Sequence, residues 1–222
     1  MKSMKLKIKR NLLYRSAKLL SCQSFLFFYS FILLFFTAAC SKEETEAGEF
    51  ANWQERNEAY FATLEDSLSQ ASAQWLKIKN YSLDQSVEIL GPSSDYIYVK
   101  VIDSGTETAS PAYTDSVRVM YRGRLIPSVT YPAGYVFDST VNGNFDIATG
   151  STAKMLVSTL VDGFSTALQH MHRGDRWRVY IPYQLGYGST GNSGSVPGYS
   201  TLIFDLQLLD FSHAGEAMPV WN

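Results

Sequence analysis

Runs of β-branched and aromatic residues, mostly alternating with polar ones, dominate the second half of this 222-residue chain. Such runs are typical of strands in a sheet. Only one stretch in this half, Phe164–Met171, has helical character, and Arg173-Gly174 is a typical helix stop after it. One short helix among about five antiparallel strands predicts an α+β domain in which the sheet wraps the helix. The clearest strand-like runs are Tyr96–Ile102, Ser116–Arg122, Arg176–Ile181 and Thr201–Leu209.

A different pattern, with apolar residues three or four positions apart, covers residues 50–79. This spacing puts the apolar side chains on one stripe of a helix, and the segment contains no Pro or Gly, so it predicts one or two helices. The stripe leaves two alternatives open, because it could form a homodimer or pack on the chain's own C-terminal domain. Tyr81–Ser94 is then a connector that ends in the turn signal Gly91-Pro92, which completes a segment of residues 50–94.

The first 39 residues have the layout of a targeting segment. A basic stretch precedes the apolar run Phe25–Phe36, and small residues follow it before Cys40. The run of 12 residues is short for a bilayer span of about 20, although a membrane helix that keeps Cys22 and Cys40 is the alternative interpretation. Residues 1–39 are therefore predicted to be a signal peptide.

The surroundings of Cys40 resemble a bacterial lipoprotein processing site. Small residues precede this cysteine, and the acidic segment after it is similar to the export signal of surface lipoproteins in the Bacteroidota. Thr37 departs from that pattern, since lipoproteins usually have Leu three residues before the cysteine. The resemblance implies a lipid on Cys40, an acidic tether over residues 40–49 and a place in the cell envelope, anchored to the membrane.

Charge excludes one class of partner. The first 39 residues contain seven Lys or Arg and no acid, so the remaining chain has 12 basic residues against 21 acidic ones. A mature protein this acidic is repelled by phosphates, which argues against nucleic acid as a partner. Removal of the leader also removes Cys22, so the mature chain can form neither an internal disulfide nor a cysteine-based metal site.

From Asp95 to Phe211 the chain resembles the FKBP-type peptidyl-prolyl cis/trans isomerase family. Each matching motif is weak by itself, but seven of them occur in the family's order and with its spacing. The motifs are Val117–Leu125, Phe137–Thr140, Phe145–Gly150, Val161–Met171, Gly174–Pro182, Leu185–Gly188 and Thr201–Leu209. The resemblance implies an isomerase domain over residues 95–213, followed by a tail of residues 214–222, and the family's fold agrees with the α+β prediction.

The resemblance also implies an aromatic pocket that holds a prolyl bond. Its predicted catalytic residues are Tyr121, Phe137, Asp138, Phe164, Tyr187 and Phe204. Its predicted substrate-binding residues are Phe145, Leu160, Val161 and Val196, with Phe145 beginning the next strand and the backbone N–H near Val161 offered to the ligand. The carboxylate of Asp138 is expected to accept a hydrogen bond from the Tyr121 phenol, although a turn-capping role is the alternative.

Two loops depart from the family's pattern. Ile126–Val136 is longer than the usual turn, so the rim near the Phe-Asp pair is expected to be extended. Asn192 and Ser195 stand where many members have an aromatic residue or histidine and an isoleucine. These changes concern substrate preference and rate more than they concern the fold.

The predicted function is therefore isomerisation of X-Pro bonds in exported, proline-containing polypeptides, without a cofactor or metal. Rotation about a peptide bond breaks no covalent bond, so it needs no nucleophile or metal ion. His170 and His172 are two positions apart and are expected to diverge on a helix end rather than share a metal. The alternative function is an FKBP-like module that binds peptides or proteins with little or no catalysis.

Overall fold

The computed structural model describes residues 48–70, 74–86 and 91–220. Seven strands form one antiparallel sheet in the order β1-β2-β6-β7-β3-β4, and β5 pairs with the other end of β3. The predicted leader and Cys40 lie outside the described residues. The strands are β1 (Trp75–Lys79), β2 (Tyr96–Asp103), β3 (Ser116–Arg124), β4 (Val136–Ser139), β5 (Ala153–Leu156), β6 (Arg176–Ile181) and β7 (Leu202–Ser212).

A short helix, α2 (Asp162–Leu168), lies against one face of this sheet, which we call the front face. Gly163 brings the helix close to β6, since a Cβ at this position would be 2.3 Å from Cγ2 of Ile181. Ala167 and Leu168 are fully buried beneath the sheet. The α+β prediction, a sheet wrapped around one short helix, is confirmed.

The helix α1 (Trp53–Gln70) packs on the opposite face, the back face. The ring of Phe61 stacks on Tyr98 of β2 with centroids 4.6 Å apart. Successive side chains of a strand point to opposite faces, so Tyr98 faces α1 while its neighbours Ile97 and Val99 face the front core. Packing on the chain's own domain, one of the two alternatives for this stripe, is thus what the structure shows.

Hydrogen bonds between distant parts of the sequence hold α1 in place. The backbone N–H of Thr201 donates to Oδ1 of Asn57 at 2.7 Å, and Nε1 of Trp53 donates to Oγ of Ser200 at 2.9 Å. Both contacts are buried and lie just before β7. A homodimer through residues 50–79 stays a prediction, and it would have to break these contacts or use other surfaces.

The prediction that the helical segment continues to Lys79 is wrong. Trp75–Lys79 form β1, which pairs with β2 so that Ile78 lies opposite Ile97. The apolar spacing at Trp75 and Leu76 is compatible with either structure, and pairing with the free edge of β2 decides for a strand. Across the described ranges, no helix is both long enough and apolar enough to cross a membrane.

Candidate functional site

Four rings from distant parts of the sequence meet on the front face and form what we call the aromatic cluster. Phe204 of β7 is at its centre, with ring centroids 4.8 Å from Phe164 of α2 and 5.6 Å from Phe137 of β4, both nearly perpendicular to it. Tyr121 of β3 lies 6.1 Å from Phe164 and 6.2 Å from Phe204. Perpendicular contacts are favourable because the positive edge of one ring meets the negative face of another. The sequence-predicted rings are therefore brought together.

Gly123, which the sequence analysis did not select as a site residue, makes this arrangement sterically feasible. It lies opposite Phe204 in the pairing of β3 with β7 and opposite Asp138 in the pairing with β4. A Cβ at Gly123 would be 2.6 Å from the Phe137 ring and 2.7 Å from the Phe204 ring. The signal for it was present in the motif Val117–Leu125, where a glycine within a strand indicates a close approach.

A hydrogen bond joins the cluster to a carboxylate. The phenol of Tyr121 donates to Oδ2 of Asp138 at 2.6 Å. Burial raises the pKa of Tyr121, and the hydrogen bond to Asp138 raises it further, so the phenol keeps its proton at physiological pH. Thr140 supports the pair, because its hydroxyl accepts a hydrogen bond from the Tyr121 backbone N–H at 2.9 Å. The expected contact between Tyr121 and Asp138 is thus present in the structure.

The floor of the cluster is much less accessible than its walls. Phe164, Phe204 and Tyr121 are only 4%, 5% and 7% exposed. Phe137 and Tyr187 are half-buried and pack against the same core, and Asp138 is exposed. A ligand would therefore touch the edges of the floor rings and most of the wall residues, in an environment with little water.

Two hydrogen-bond donors at the rim have no partner within the described residues. One is the backbone N–H of Val161, directly before α2, whose carbonyl accepts from Phe164 and Ser165. The other is the hydroxyl of Tyr187, which lies close enough to Tyr121 to contribute to the raised pKa of that residue. Such donors are suited to carbonyl oxygens of a bound polypeptide.

Three of the four predicted substrate-binding residues lie at the front core, and Phe145 does not. Leu160 and Val161 are half-buried against the front core, and Val196 is 3% exposed in the loop before β7. A short hairpin holds this loop, with the Asn192 N–H donating to the Val196 carbonyl at 2.9 Å. These three residues lie in the same hydrophobic core as the aromatic cluster.

The expectation for Phe145 is wrong. Phe145 does not begin a strand, and its ring packs on the back face against Met120, Val141 and Leu209. Met120 and Tyr121 are neighbours on β3, so their side chains point to opposite faces and Phe145 cannot reach the aromatic cluster. The next strand, β5, begins instead at Ala153, whose small side chain packs against the front core.

His170 and His172 contact different partners. Nδ1 of His170 is 2.8 Å from the Thr166 carbonyl, whereas Nδ1 of His172 is 3.4 Å from Oδ2 of Asp175. The described part of the chain contains no group of three His, Cys, Asp or Glu placed to hold a metal ion.

Comparison with known proteins gives consistent matches over this region. A family model described as FKBP-type peptidyl-prolyl cis-trans isomerase matches residues 107–209. The FKBP-type 22 kDa peptidyl-prolyl cis-trans isomerase of Escherichia coli strain K12 is 41% identical over 111 residues, which cover 50% of this chain and 48% of the relative. The macrophage infectivity potentiator of Trypanosoma cruzi is 37% identical over 115 residues, covering 52% and 53%.

Among solved structures, FkpA from Escherichia coli superimposes with a TM-score of 0.52 at 23% identity, covering 85% of this chain and 71% of that chain. This likeness supports the fold alone. The chain spans about half the length of the curated relatives that it matches.

Proposed function

Because the chain belongs, through residues 107–209, to the FKBP-type peptidyl-prolyl cis-trans isomerase family, we propose that it accelerates rotation about X-Pro bonds in proline-containing polypeptides. The observation that carries the proposal is the 2.6 Å hydrogen bond from Tyr121 to Asp138 at the edge of the aromatic cluster, in which three rings contact Phe204. Core packing alone would account for buried rings, but it gives no reason for an exposed carboxylate held against one of them.

The chemistry requires only that the twisted form of the bond be favoured. Amide resonance gives a rotation barrier of about 18–20 kcal/mol, and uncatalysed X-Pro exchange takes tens to hundreds of seconds. The twisted transition state has lost resonance, and its carbonyl is less polar. A site that removes water from the bond therefore stabilises the twisted form relative to the planar ground state.

In this proposal, each part of the site has a role. The proline ring lies against the edges of Phe164 and Phe204 and the half-buried ring of Phe137. The N–H of Val161 and the hydroxyl of Tyr187 donate to carbonyls on either side of the proline, which fixes the axis of rotation. The carboxylate of Asp138 holds the Tyr121 ring in place.

A direct test is an isomerisation assay on a short X-Pro peptide, by protease coupling or exchange NMR. The protein used is the chain from which residues 1–39 have been removed. We expect rapid exchange in the wild type. Asp138→Ala and Tyr187→Phe should each lower kcat/KM by about tenfold, the factor that corresponds to losing one hydrogen bond worth about 1.4 kcal/mol.

Matched controls separate site effects from general ones. Tyr183→Phe removes a phenol hydroxyl four positions before Tyr187, from a ring that packs on Tyr199 instead. Asp103→Ala removes an exposed carboxylate at the end of β2. Both controls should retain wild-type rates. Exchange at the uncatalysed rate in the wild type would refute the proposal and leave a peptide-binding module.

We also propose that the protein acts in the cell envelope, anchored through a lipid on Cys40, where it assists the folding of exported proteins. A relative from Legionella longbeachae, 37% identical over 115 residues, is named outer membrane protein MIP. The basic and apolar leader and the cysteine after it support the same location for this chain.

Mass spectrometry of the protein from a bacterial envelope fraction tests the anchor. We expect the mature protein to begin at Cys40 and to carry added acyl mass, and Cys40→Ser to lack that mass. Cys22→Ser is the matched control, because a cleaved leader takes residue 22 with it. A mature protein that still contains residues 1–39 would refute the signal-peptide assignment.

A further inference from the structure

A cavity of about 650 Å³ lies beside the aromatic cluster, and nothing above assigns it a ligand. Its walls come from three separate segments: the turn before α1, the long loop 126–136, and the loop 189–198. We call it the side cavity. It is lined by Glu49, Phe50, Thr130, Tyr131, Tyr135, Thr190, Asn192, Ser193, Gly194, Ser195, Val196 and Pro197.

The lining has the character of a binding site for an apolar group. Phe50, Tyr131 and Tyr135 are large aromatic side chains that are 47%, 41% and 36% exposed, which is unusual for three neighbouring rings. Hydroxyl and amide groups from both loops surround them. A volume of this size, apolar walls and a few polar groups are the features of cavities that bind small organic groups or side chains.

Each wall is held in position by its own contacts. In the long loop, the Gly134 N–H donates to the Tyr131 carbonyl at 2.8 Å, and the rings of Tyr131 and Tyr135 are 5.1 Å apart. Gly134 has φ +85°, and a Cβ there would lie 2.2 Å from the Leu125 carbonyl oxygen, so the turn requires glycine.

The wall before α1 is fixed in the same way. Nη1 of Arg56 donates to the Glu49 carbonyl at 2.9 Å, and the ring of Phe50 packs edge-on against Trp53 at 5.1 Å. Hydrogen bonds from the Ser128 and Thr130 hydroxyls lower the pKa of Glu49, so this carboxylate ties the turn to the long loop. The cavity is thus preformed.

Two chain segments link the side cavity to the aromatic cluster. Tyr135 lines the cavity, and Phe137 of the cluster is two positions further along the chain, about 7 Å away in extended geometry. Val196 lines the cavity and is also buried in the front core with the cluster. A polypeptide bound at the cluster would reach the cavity with a residue two or three positions from its proline.

From this geometry we propose that the side cavity binds an apolar or aromatic side chain of the same polypeptide whose X-Pro bond occupies the aromatic cluster. This rests on the proposed function and deepens it by naming a substrate class: unfolded segments with a large apolar residue two or three positions from proline. Glu49 is the only charged residue among the lining residues given above, so an acidic residue beside that side chain is disfavoured.

The test compares matched peptides and variants. One peptide is a short X-Pro peptide. Four longer ones carry Phe or Gly three positions from the proline, either before or after it. We expect the Phe peptide on one side to have a kcat/KM about tenfold above its Gly partner, from burial of one ring. In Phe50→Ala and Tyr131→Ala this ratio should fall towards one.

Tyr113→Ala serves as the control, because Tyr113 is 40% exposed and does not line the side cavity. It should leave the Phe-to-Gly ratio as in the wild type. Circular dichroism and thermal unfolding establish that each variant is folded before its ratio is measured. An equal ratio in the wild type and both cavity variants would overturn the assignment.

Direct binding separates failure of this inference from failure of the proposed function. If no peptide is isomerised, the isomerase proposal fails, but fluorescence anisotropy of the labelled Phe and Gly peptides still measures the side cavity. A Phe preference lost in Phe50→Ala supports the inference, and equal affinities refute it. Sedimentation that shows a dimer dissociated by Phe50→Ala would also overturn it, since a second copy would then be the occupant.

Discussion

The two faces of the sheet each carry a group of aromatic side chains, but the two groups differ in ring geometry and in the helix that packs over them. On the front face, rings of the aromatic cluster meet nearly at right angles over the 7-residue helix α2. On the back face, Phe61 stacks flat on Tyr98 and Trp75 stacks flat on Tyr180, beside the 18-residue helix α1. We call these last four rings the covered cluster. The same residue types therefore form a site or a core according to what packs over them.

The polar groups at the edges of the two clusters also differ in whether they are paired within the chain. The ammonium of Lys77 lies 5.6 Å from the centroid of Tyr98 in the covered cluster and binds Glu65 at 2.8 Å. At the aromatic cluster, the Val161 N–H and the Tyr187 hydroxyl have no partner among the described residues. Among the described residues, the charge at the edge of the covered cluster is thus paired within the chain, whereas two donors beside the aromatic cluster are unpaired.

The largest effect is expected from Phe61→Ala in the covered cluster. Removing a ring that is 5% exposed leaves a cavity under α1, which should lower the free energy of unfolding by about 3–5 kcal/mol. Chemical denaturation measures this loss. Isomerase activity per folded molecule should persist, because the front face keeps its rings.

Phe50→Ala provides the comparison for that change, as Phe50 is 47% exposed at the start of the same region. Phe50→Ala should lower the free energy of unfolding by far less than Phe61→Ala does. If Phe61→Ala abolished activity in molecules that remain folded, the two faces would not be separable as described.

A medium effect is expected from Gly123→Ala at the aromatic cluster. The added methyl group would push apart the Phe137 and Phe204 rings and should destabilise the chain by about 1–3 kcal/mol. Isomerase kcat/KM should fall by more than tenfold, because ring positions define the site. Gly48→Ala is the matched control, since no other atom lies within 4 Å of its Cβ position. Full activity in Gly123→Ala would show that ring spacing is not critical.

The smallest effect is expected at alkaline pH. It compares Tyr98 of the covered cluster with Tyr121 of the aromatic cluster. Burial is the main cause of the raised pKa of both Tyr98 and Tyr121. A raised folded-state pKa contributes stability that is fully present below the unfolded value of about 10 and is lost as pH rises above it. We expect stability to fall above pH 10, and to fall less steeply in Tyr98→Phe and in Tyr121→Phe. Unfolding by denaturant between pH 8 and 11 measures these slopes, and an unchanged slope in both variants would contradict the assignment.

Local sequence patterns and the family resemblance together anticipated much of the front face. Alternation predicted β6 at its observed limits, Arg176–Ile181, and the resemblance implied that Tyr121, Phe164 and Phe204 would meet. Phe145 was misassigned because its motif gave no information about which face of the sheet its ring would pack on. The helix was extended to Lys79 because a pattern with spacings of three and four continued through Trp75.

By itself the sequence determined the strands β2, β3, β6 and β7 and the short helix, since these depend on residue types and spacings within one segment. Only the tertiary structure decided that β1 joins the sheet, that α1 covers the back face through Asn57 and Trp53, and that loops 126–136 and 189–198 enclose a cavity with Phe50. The physical reason is that these contacts join residues up to 147 positions apart. Their free energy depends on surfaces that exist only after the chain has folded, and no local pattern encodes it.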